Sequence, residues 1–416
     1  MGERAIQLPK LAINGAEPVR RKPFPQWPIF NEEEVRALNE VLQSRVWGIG
    51  GRKIEEFEKK FASYQNAQYG VAVANGTVAL EVALRAAGID AGDEVIMPAY
   101  TFMATPAAAI EVNALPVFAD IDPSTYTIDT KGVEESITDK TKAIIPVHIG
   151  GCPADMDGIM KIAKKNDLRI IEDACQAWGA EWRGKRIGAL GDLGAFSFQS
   201  SKNITCGEGG IVITNDRKLY ELSWSYHNCG RTVGGAWYQH DLLGFNFRMT
   251  EFQAAILLIQ LTRLDGQTRI RNENALYLSK EIARIEGVEP LKRGPEITRH
   301  SYHLYIFKYD KEKFGGLPRS KFIEALRAEG IPCSPGYVPL YKERFMLNLA
   351  QDRTLSKLYG EKVDYGKVKL PVTERACYEE GVWLFQNMLL GTKEDMDDIV
   401  NAIAKIKENV EELMRA

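Results

Sequence analysis

The chain has 416 residues, of which 45% are hydrophobic and 26% are charged, and its formal net charge is −3. This composition is ordinary for a globular protein, and the length suggests more than one lobe. There is no basic block and no apolar run near the ~20 residues of a membrane helix, so nucleic acid and membranes are not expected partners. The N-terminus lacks the apolar core of a signal peptide, and the six cysteines contain no CxxC. We therefore expect a cytoplasmic protein with reduced thiols.

The N-terminal region is predicted to be an extended arm followed by a helix. Residues 1–30 are rich in proline, lysine and arginine and show no clear period, so they are suited to lying on a partner subunit. Asn31 is the expected cap of a helix that runs to about Gln43. Trp47 lies in the next segment, 47–51, which taken alone is a flexible connector between helices.

Apolar strands then alternate with helices, which is typical of a mostly parallel sheet covered on both faces. The predicted helices span residues 78–87, 100–112 and 155–166. The predicted strands span residues 71–74, 94–97, 116–119, 141–149, 168–173, 195–198 and 210–214. In such a sheet, ligands bind beyond the carboxyl ends of the strands.

Residues suited to ligand binding or catalysis lie at three of these strand ends. Gly76 and Thr77 begin a helix, so their backbone amides are suited to a phosphate group, although many strand–helix turns have this sequence. Asp173 ends a buried strand, and Lys202 lies between the end of a later strand and the glycine bend 207–210. Each of the two also has a structural interpretation when taken alone: Asp173 as a helix cap, and Lys202 as a solvated loop lysine.

Together, the aspartate and the lysine match the needs of a pyridoxal phosphate enzyme. Burial lowers the pKa of a lysine and frees its amine to form a Schiff base with the cofactor. A carboxylate keeps the pyridine nitrogen of the cofactor protonated, so that the ring withdraws electrons. Because the phosphate-binding turn, Asp173 and Lys202 occur in this order, the sequence favours cofactor chemistry over the separate structural interpretations.

The sequence resembles the StrS-type (DegT) family of sugar aminotransferases, a branch of the fold-type I aspartate aminotransferase group. The resemblance runs from about Trp27 to the C-terminus, and includes Lys202 and the segments 74–77, 98–102, 172–176, 196–198, 207–210 and 244–249. It implies an α/β fold of the pyridoxal phosphate-dependent transferase type. The large domain, residues 1–265, would contain the arm and a mostly parallel seven-stranded sheet between helices, and residues 266–416 would form a smaller α+β domain.

The resemblance also implies roles for individual residues. Lys202 would carry pyridoxal phosphate covalently and move the proton in transamination, while Asp173 would pair with the pyridine nitrogen. The other cofactor contacts would be Gly76, Thr77 and Ser197 around the phosphate, Phe102 stacked on the ring, and Gln176. Asn246 would reach the cofactor phosphate of the neighbouring subunit, which implies a homodimer with shared sites.

The rhythm of strands and helices changes in the second half of the chain. Helices are predicted at 217–228, 250–264, 269–286, 319–329 and 396–414, with a glycine- and aromatic-rich loop at 229–244, a strand at 301–307 and a strand-like segment at 332–335. The spacing of His300 and His303 raises the hypothesis of a metal site. On a strand, however, residues i and i+3 face opposite sides, so no metal is expected.

The implied reaction moves an amino group from glutamate or glutamine to a ketosugar, nucleotide-linked or free, or to a ketocyclitol. Candidate substrate contacts are Trp47, Tyr337 and Arg231, the last for the donor carboxylate. Alternatively, the loop that holds Arg231 only packs a dimer interface. The turn 205–208 resembles enzymes that act on ketocyclitols or aminobenzoate precursors, whereas Gln176 fits the nucleotide-sugar enzymes.

Departures from the family pattern leave the acceptor open. Trp178 stands where many members have histidine, and the segment 385–387 replaces a Leu-Pro segment. One alternative function is a sugar dehydratase of the same family, but those relatives have histidine in place of the cofactor lysine, which is Lys202 here. The other is a non-enzymatic regulatory protein of the same fold, which would have no need of the intact set around Lys202 and Asp173.

Overall fold

A seven-stranded sheet forms the centre of the computed structural model, in which residues 10–414 are described. The strands of the whole chain are β1 (Tyr69–Val73), β2 (Glu94–Pro98), β3 (Leu115–Ala119), β4 (Thr141–Ile144), β5 (Arg169–Asp173), β6 (Glu181–Trp182), β7 (Lys185–Arg186), β8 (Leu193–Ser197), β9 (Gly210–Thr214), β10 (Val288–Pro290), β11 (Ile297–Arg299), β12 (Leu304–Tyr309) and β13 (Gly381–Phe385). The central sheet has the order β1-β9-β8-β5-β4-β2-β3. Its pairs are parallel except that β9 runs antiparallel to β1 and β8. The predicted mostly parallel sheet is therefore confirmed.

Helices cover both faces of this sheet. They are α1 (Glu32–Ser44), α2 (Arg52–Tyr64), α3 (Gly76–Ala86), α4 (Ala104–Glu111), α5 (Thr130–Glu135), α6 (Met156–Asn166), α7 (Arg217–His227), α8 (Glu251–Ile282), α9 (Arg319–Ala328), α10 (Arg344–Leu347), α11 (Arg353–Tyr359), α12 (Pro371–Arg375), α13 (Lys393–Glu408) and α14 (Val410–Met414). The helices α2, α6 and the start of α8 pack on one face, and α3, α4 and α7 pack on the other. Successive strand residues alternate between these two cores, as the pleat requires.

Helix α8 differs most from the sequence prediction. The segments 250–264 and 269–286 were expected to be two helices, but a single helix runs from Glu251 to Ile282. Thr250 and Gln253 form a reciprocal capping box at its start. Gly266 disfavours a helix interior by only about 1 kcal/mol, which packing along the rest of the helix outweighs. The proposed domain boundary at residue 265 therefore falls inside a continuous helix, and the division into domains stays a prediction.

Several shorter elements also end earlier than expected. The strand predicted at 141–149 stops at Ile144, because Pro146 has no amide to donate to the sheet. The helix predicted at 100–112 begins at Ala104. It follows a turn in which the Thr105 amide donates a hydrogen bond to the Phe102 carbonyl at 3.2 Å. The segment 332–335 forms one isolated bridge, from Ser334 to Trp383, and no strand. The final helix is divided into α13 and α14.

His300 and His303 precede β12 rather than lying in it. The assumption that both histidines lie on a strand, from which we argued against a metal site, was therefore wrong. The histidines have other partners: His300 Nδ1 accepts a hydrogen bond from the Tyr302 amide, and His303 Nδ1 contacts Asn203 Oδ1 at 3.1 Å. Within residues 10–414 no cluster of side chains is suited to a metal ion. The same part of the chain contains no helix that is long and apolar enough to cross a bilayer.

The C-terminal lobe is built on the antiparallel sheet β10-β12-β13, with α8, α9 and α13 around its core. The described part of the arm lies against this lobe of its own chain. Leu11 and Phe24 enter the lobe core, and Arg20 forms 2.7 Å ion pairs with Asp395 and Asp398. The assignment of the arm to the large domain stays a prediction, like the rest of the division into domains. Residues 1–9, including the segment examined for a signal peptide, lie outside the described residues.

Candidate active site

A cavity of about 1250 Å³ opens beyond the carboxyl ends of the parallel strands. Its walls come from both halves of the chain, and they include the C-terminal residues of β5 and β8, Asp173 and Ser197. The structure brings eight of the predicted site residues to this cavity: Gly76, Thr77, Phe102, Asp173, Gln176, Ser197, Lys202 and Tyr337. The site thus lies where ligands bind in open α/β sheets.

One end of the cavity is suited to an anion. Asn75 caps α3 by accepting a hydrogen bond from the Val78 amide at 3.0 Å, while the Gly76 and Thr77 amides have no acceptor among the described residues. Ser197 lies against this turn, since a Cβ atom on Gly76 would come within 2.7 Å of the Ser197 Cβ. Free amides at a helix N-terminus, beside a hydroxyl, are suited to bind a phosphate group.

Asp173 provides a carboxylate at the end of β5. The Thr105 hydroxyl donates to its Oδ2 at 2.8 Å, and the Cys175 amide donates to its Oδ1 at 3.2 Å. Thr101 lies 3.0 Å from Thr105, hydroxyl to hydroxyl, and extends this network. Asp173 is buried and forms no ion pair with any residue in the range 10–414, so its charge is available to a cationic group in the cavity.

Lys202 lies on the turn after β8. Its amide donates to the Gln199 carbonyl at 2.9 Å, and its side chain reaches the cavity with Nζ 5.9 Å from the centre of the Trp178 ring. Burial lowers the pKa of Lys202, and the nearby carboxylate of Asp173 opposes this shift. A lowered pKa increases the fraction of neutral, nucleophilic amine.

Glu172, beside Asp173, has a structural function. Its carboxylate accepts hydrogen bonds of 2.7 Å from three amides of the loop 188–191 and contacts His148 Nε2 at 3.1 Å. Because His148 Nδ1 accepts from the Ala154 amide at 3.0 Å, the ring proton lies on Nε2 and is donated to Glu172. Of the two adjacent carboxylates, only Asp173 faces the cavity.

Gln176 joins the two halves of the site. Its Oε1 accepts from the Gly150 amide at 2.7 Å, and its Nε2 donates to the Tyr337 hydroxyl at 3.0 Å. The Tyr337 ring packs edge-on against Trp383, which also lines the cavity. Phe102 is 55% exposed, so one face of its ring is free at the cavity.

Three predicted site residues do not reach the cavity of their own chain. Asn246 is exposed and forms an isolated bridge with Asn228. Arg231 donates to the Trp237 carbonyl at 2.7 Å and stacks on that ring, and Trp47 packs against Phe252. For these three residues, a role in the site depends on a second subunit.

Residue-by-residue reasoning missed several groups at the site. Trp27 lines the cavity and donates from its indole to the Ser200 carbonyl at 3.1 Å. Thr105 orients Asp173, and His303 and Gln386 line the wall that faces Lys202's turn. Only the pair Thr101 and Thr105, four residues apart near the start of α4, is local in the sequence, because the other contacts join residues 68 or more positions apart.

Comparison with known proteins agrees with this geometry. The profile of the DegT/DnrJ/EryC1/StrS aminotransferase family matches residues 28–404. The chain belongs to this family. It is 40% identical over 412 residues to a Streptoalloteichus tenebrarius protein provisionally named L-glutamine:3-amino-2,3-dideoxy-scyllo-inosose aminotransferase, covering 97% of this chain and 99% of the relative. A second protein of that organism, named L-glutamine:2-deoxy-scyllo-inosose aminotransferase, is 38% identical over 420 residues, with 97% and 99% covered.

The fold of this DegT/DnrJ/EryC1/StrS family member is also that of a solved relative. The crystal structure of 3-amino-5-hydroxybenzoic acid synthase is 32% identical, with a TM-score of 0.83 over 95% of this chain and 99% of that one. The family resemblance read from the sequence is confirmed, and the protein is an aminotransferase.

Proposed function

We propose that this aminotransferase uses pyridoxal phosphate to transfer the amino group of glutamine to a ketocyclitol. The observation that carries the proposal is the arrangement of Lys202 and Asp173 at one cavity, beside the anion-binding end of α3. A dehydratase of this family would have histidine at the lysine position, and a regulatory protein would have no use for a buried amine facing a buried carboxylate.

The residues present fit pyridoxal phosphate. The Gly76 and Thr77 amides and the Ser197 hydroxyl would hold the phosphate, and the Gly76–Ser197 contact is too close for any side chain at position 76. Phe102 would cover one face of the ring, and Asp173 would pair with the pyridine nitrogen. When bound, the cofactor supplies an aldehyde that accepts amino groups and a ring that withdraws electrons.

The chain's own residues perform the proton movements. Lys202 Nζ, neutral in part because burial lowers its pKa, is the base that removes the proton from the α-carbon of the donor. Asp173 would face the ring nitrogen and stabilise a proton there, while the Thr105 hydroxyl fixes the carboxylate. The donor leaves as a keto acid, and its nitrogen passes to the carbonyl carbon of the acceptor in a second half-reaction in the same cavity.

The choice of substrates is supported by the relatives and by the cavity. The two Streptoalloteichus tenebrarius proteins are named for L-glutamine and for inosose acceptors, which are cyclic polyhydroxy ketones. The cavity wall combines flat aromatic faces, from Trp27, Trp383 and Phe385, with polar groups such as Ser334 and Asn387. Such a mixture is suited to a ring that carries several hydroxyl groups.

A homodimer with shared sites is part of the proposal. Asn246, Arg231 and Trp47 lie outside the cavity of their own chain, and the loop that holds Arg231 also exposes Tyr238 and Leu243 at 84% and 81%. Apolar side chains this exposed are typical of a protein–protein interface. A second copy of the chain on this surface would provide the partner that Asn246 requires.

The proposal is tested by supplying the holoenzyme with glutamine labelled with ¹⁵N on the α-amino group. Ketocyclitols, keto nucleotide sugars and simple 2-keto acids are offered in parallel, and the products are identified by mass. We expect the label in an aminocyclitol. If the label enters only simple 2-keto acids, the protein is an amino-acid aminotransferase and the ketocyclitol proposal fails.

A further inference from the structure

A buried arginine lies behind the cavity wall without an acidic partner. Arg271, on α8, has none of its surface exposed. Within residues 10–414 it forms no ion pair, and its Nη1 atom is enclosed without a hydrogen-bond partner. Burial lowers the pKa of Arg271 to about 9, and no neighbouring charge contributes to this shift. At neutral pH the guanidinium is therefore a buried positive charge that no described group neutralises.

Gln386 separates this charge from the cavity. Arg271 donates from Nε and Nη2 to the Gln386 Oε1, at 3.1 and 2.5 Å. Because an arginine offers only donors, the amide oxygen must face it, and the amide NH₂ group is turned away. Gln386 lines the cavity, and its Nε2 has no acceptor among the described residues. The wall therefore presents two N–H groups that the charge behind them polarises.

The residues around Gln386 are consistent with this orientation of its amide group. Leu304 pairs with Phe385 at the end of the β12–β13 ladder, so the preceding His303 lies opposite Gln386. Burial, together with the positive charges of Lys202 and Arg271, holds the pKa of His303 well below its usual range, so the ring is neutral. Trp27 covers the guanidinium, with Cζ 5.5 Å from the ring centre. Among the described residues, no carboxylate contacts Gln386 or Arg271.

The α-carboxylate of an amino acid is an anion that requires hydrogen-bond donors or a cation in the cavity. Among the described residues that line the cavity, Lys202 is the one lysine or arginine, and it acts at the α-carbon. Arg231, the candidate from the sequence, is bound to Trp237 outside the cavity. We propose that Gln386, oriented and polarised by Arg271, binds the α-carboxylate of the amino donor. This inference rests on the proposed function, which makes an α-amino acid the donor.

The test compares glutamine with 4-aminobutanamide, which is glutamine without its α-carboxylate. The holoenzyme and its variants Gln386→Leu and Gln386→Glu are measured in the donor half-reaction with each amine. Gln386→Leu removes the N–H donors, whereas Gln386→Glu gives Arg271 a carboxylate partner and keeps the buried charge satisfied. Binding of 4-carbamoylbutanoate, which has the carboxylate but no amine, is measured by calorimetry on the same holoenzymes.

A hydrogen bond to a charged group predicts a loss of about 10- to 100-fold in kcat/KM for glutamine in Gln386→Leu, and a larger loss in Gln386→Glu. The kcat/KM for 4-aminobutanamide and the acceptor half-reaction should change less than about threefold, and 4-carbamoylbutanoate should bind both variants more weakly. The matched controls, Gln68→Leu and Gln68→Glu, alter an exposed glutamine away from the cavity and should leave every value unchanged.

Two different failures can be told apart. If the two amines lose kcat/KM equally, or if the acceptor half-reaction alone is impaired, Gln386 does not bind the donor carboxylate and the inference is overturned. If the wild-type holoenzyme accepts neither glutamine nor glutamate, the proposed function itself fails. Should Gln386→Leu not fold, Gln386→Glu and the calorimetry decide the question.

Discussion

Glu58 on α2 provides a quantitative test of how the edge of the central sheet is stabilised. The strand β1 is an edge strand, and Glu58 Oε1 accepts a hydrogen bond from its Ala72 amide at 2.8 Å. Burial raises the pKa of Glu58 from 4.5 to about 8, against the opposing effect of that hydrogen bond. Replacing Glu58 with glutamine keeps an oxygen for Ala72 and removes the titrating group.

The direction in which stability changes with pH follows from proton binding to Glu58. Between pH 4.5 and 8 the folded state holds a proton on Glu58 that the unfolded state has lost, so wild-type stability falls as the pH rises through this window. A shift of this size corresponds to at most about 5 kcal/mol. Part of the Glu58 side chain remains at the surface, where solvent reduces the effect to about 2–4 kcal/mol. Glu58→Gln should therefore match wild type near pH 5 and exceed it by that amount near pH 9.

Urea unfolding of the holoenzyme at pH 5, 7 and 9 measures this difference. The control is Glu56→Gln on the same helix, where an exposed ion pair with Lys60 is worth at most about 0.5 kcal/mol. A Glu58→Gln variant that gains the same stability at pH 5 as at pH 9, or that loses stability at pH 9, would refute the reasoning.

Three further predictions concern the site and the long helix. Asp173→Asn should retain the fold and bind cofactor but lower kcat about 10²- to 10³-fold, and an unchanged rate would show that another carboxylate serves the ring nitrogen. Gly76→Ala places a Cβ 2.7 Å from Ser197 and should weaken cofactor binding at least about tenfold in an absorbance titration, whereas Gly48→Ala, with open space around it, should not. Gly266→Ala in α8 should raise the unfolding free energy by about 1 kcal/mol, and a loss would place Gly266 in a close contact.

Local sequence patterns located the strand ends and the residues on them. Asp173 and Lys202 could be predicted because they lie at or shortly after the end of an apolar strand, and Gly76 because it begins a helix directly after one, whereas Ser197 came from the family resemblance. The same local view failed at α8, where it predicted two helices on either side of Gly266, although packing along the rest of the helix outweighs the low helix propensity of that glycine. It also extended β4 past Pro146, where the sheet loses an amide donor.

The remaining contacts depend on long-range packing. Arg271 and Gln386 are 115 positions apart in the chain, and Trp27 reaches Ser200 across 173. Nothing in the neighbourhood of Arg271 in the sequence indicates that it is buried without an acid, because that property arises from three separate segments meeting at the cavity. Asn246 could not be placed at the site for a related reason, since its predicted contact is with the cofactor phosphate of a second copy of the chain.

The most direct test of the account is to find which lysine carries the cofactor. The holoenzyme is reduced with sodium borohydride and digested, and the peptides are analysed by mass spectrometry. We expect a phosphopyridoxyl group on the peptide that contains Lys202, and its absence in Lys202→Ala. A modification on any other lysine, or the same modification in Lys202→Ala, would contradict it.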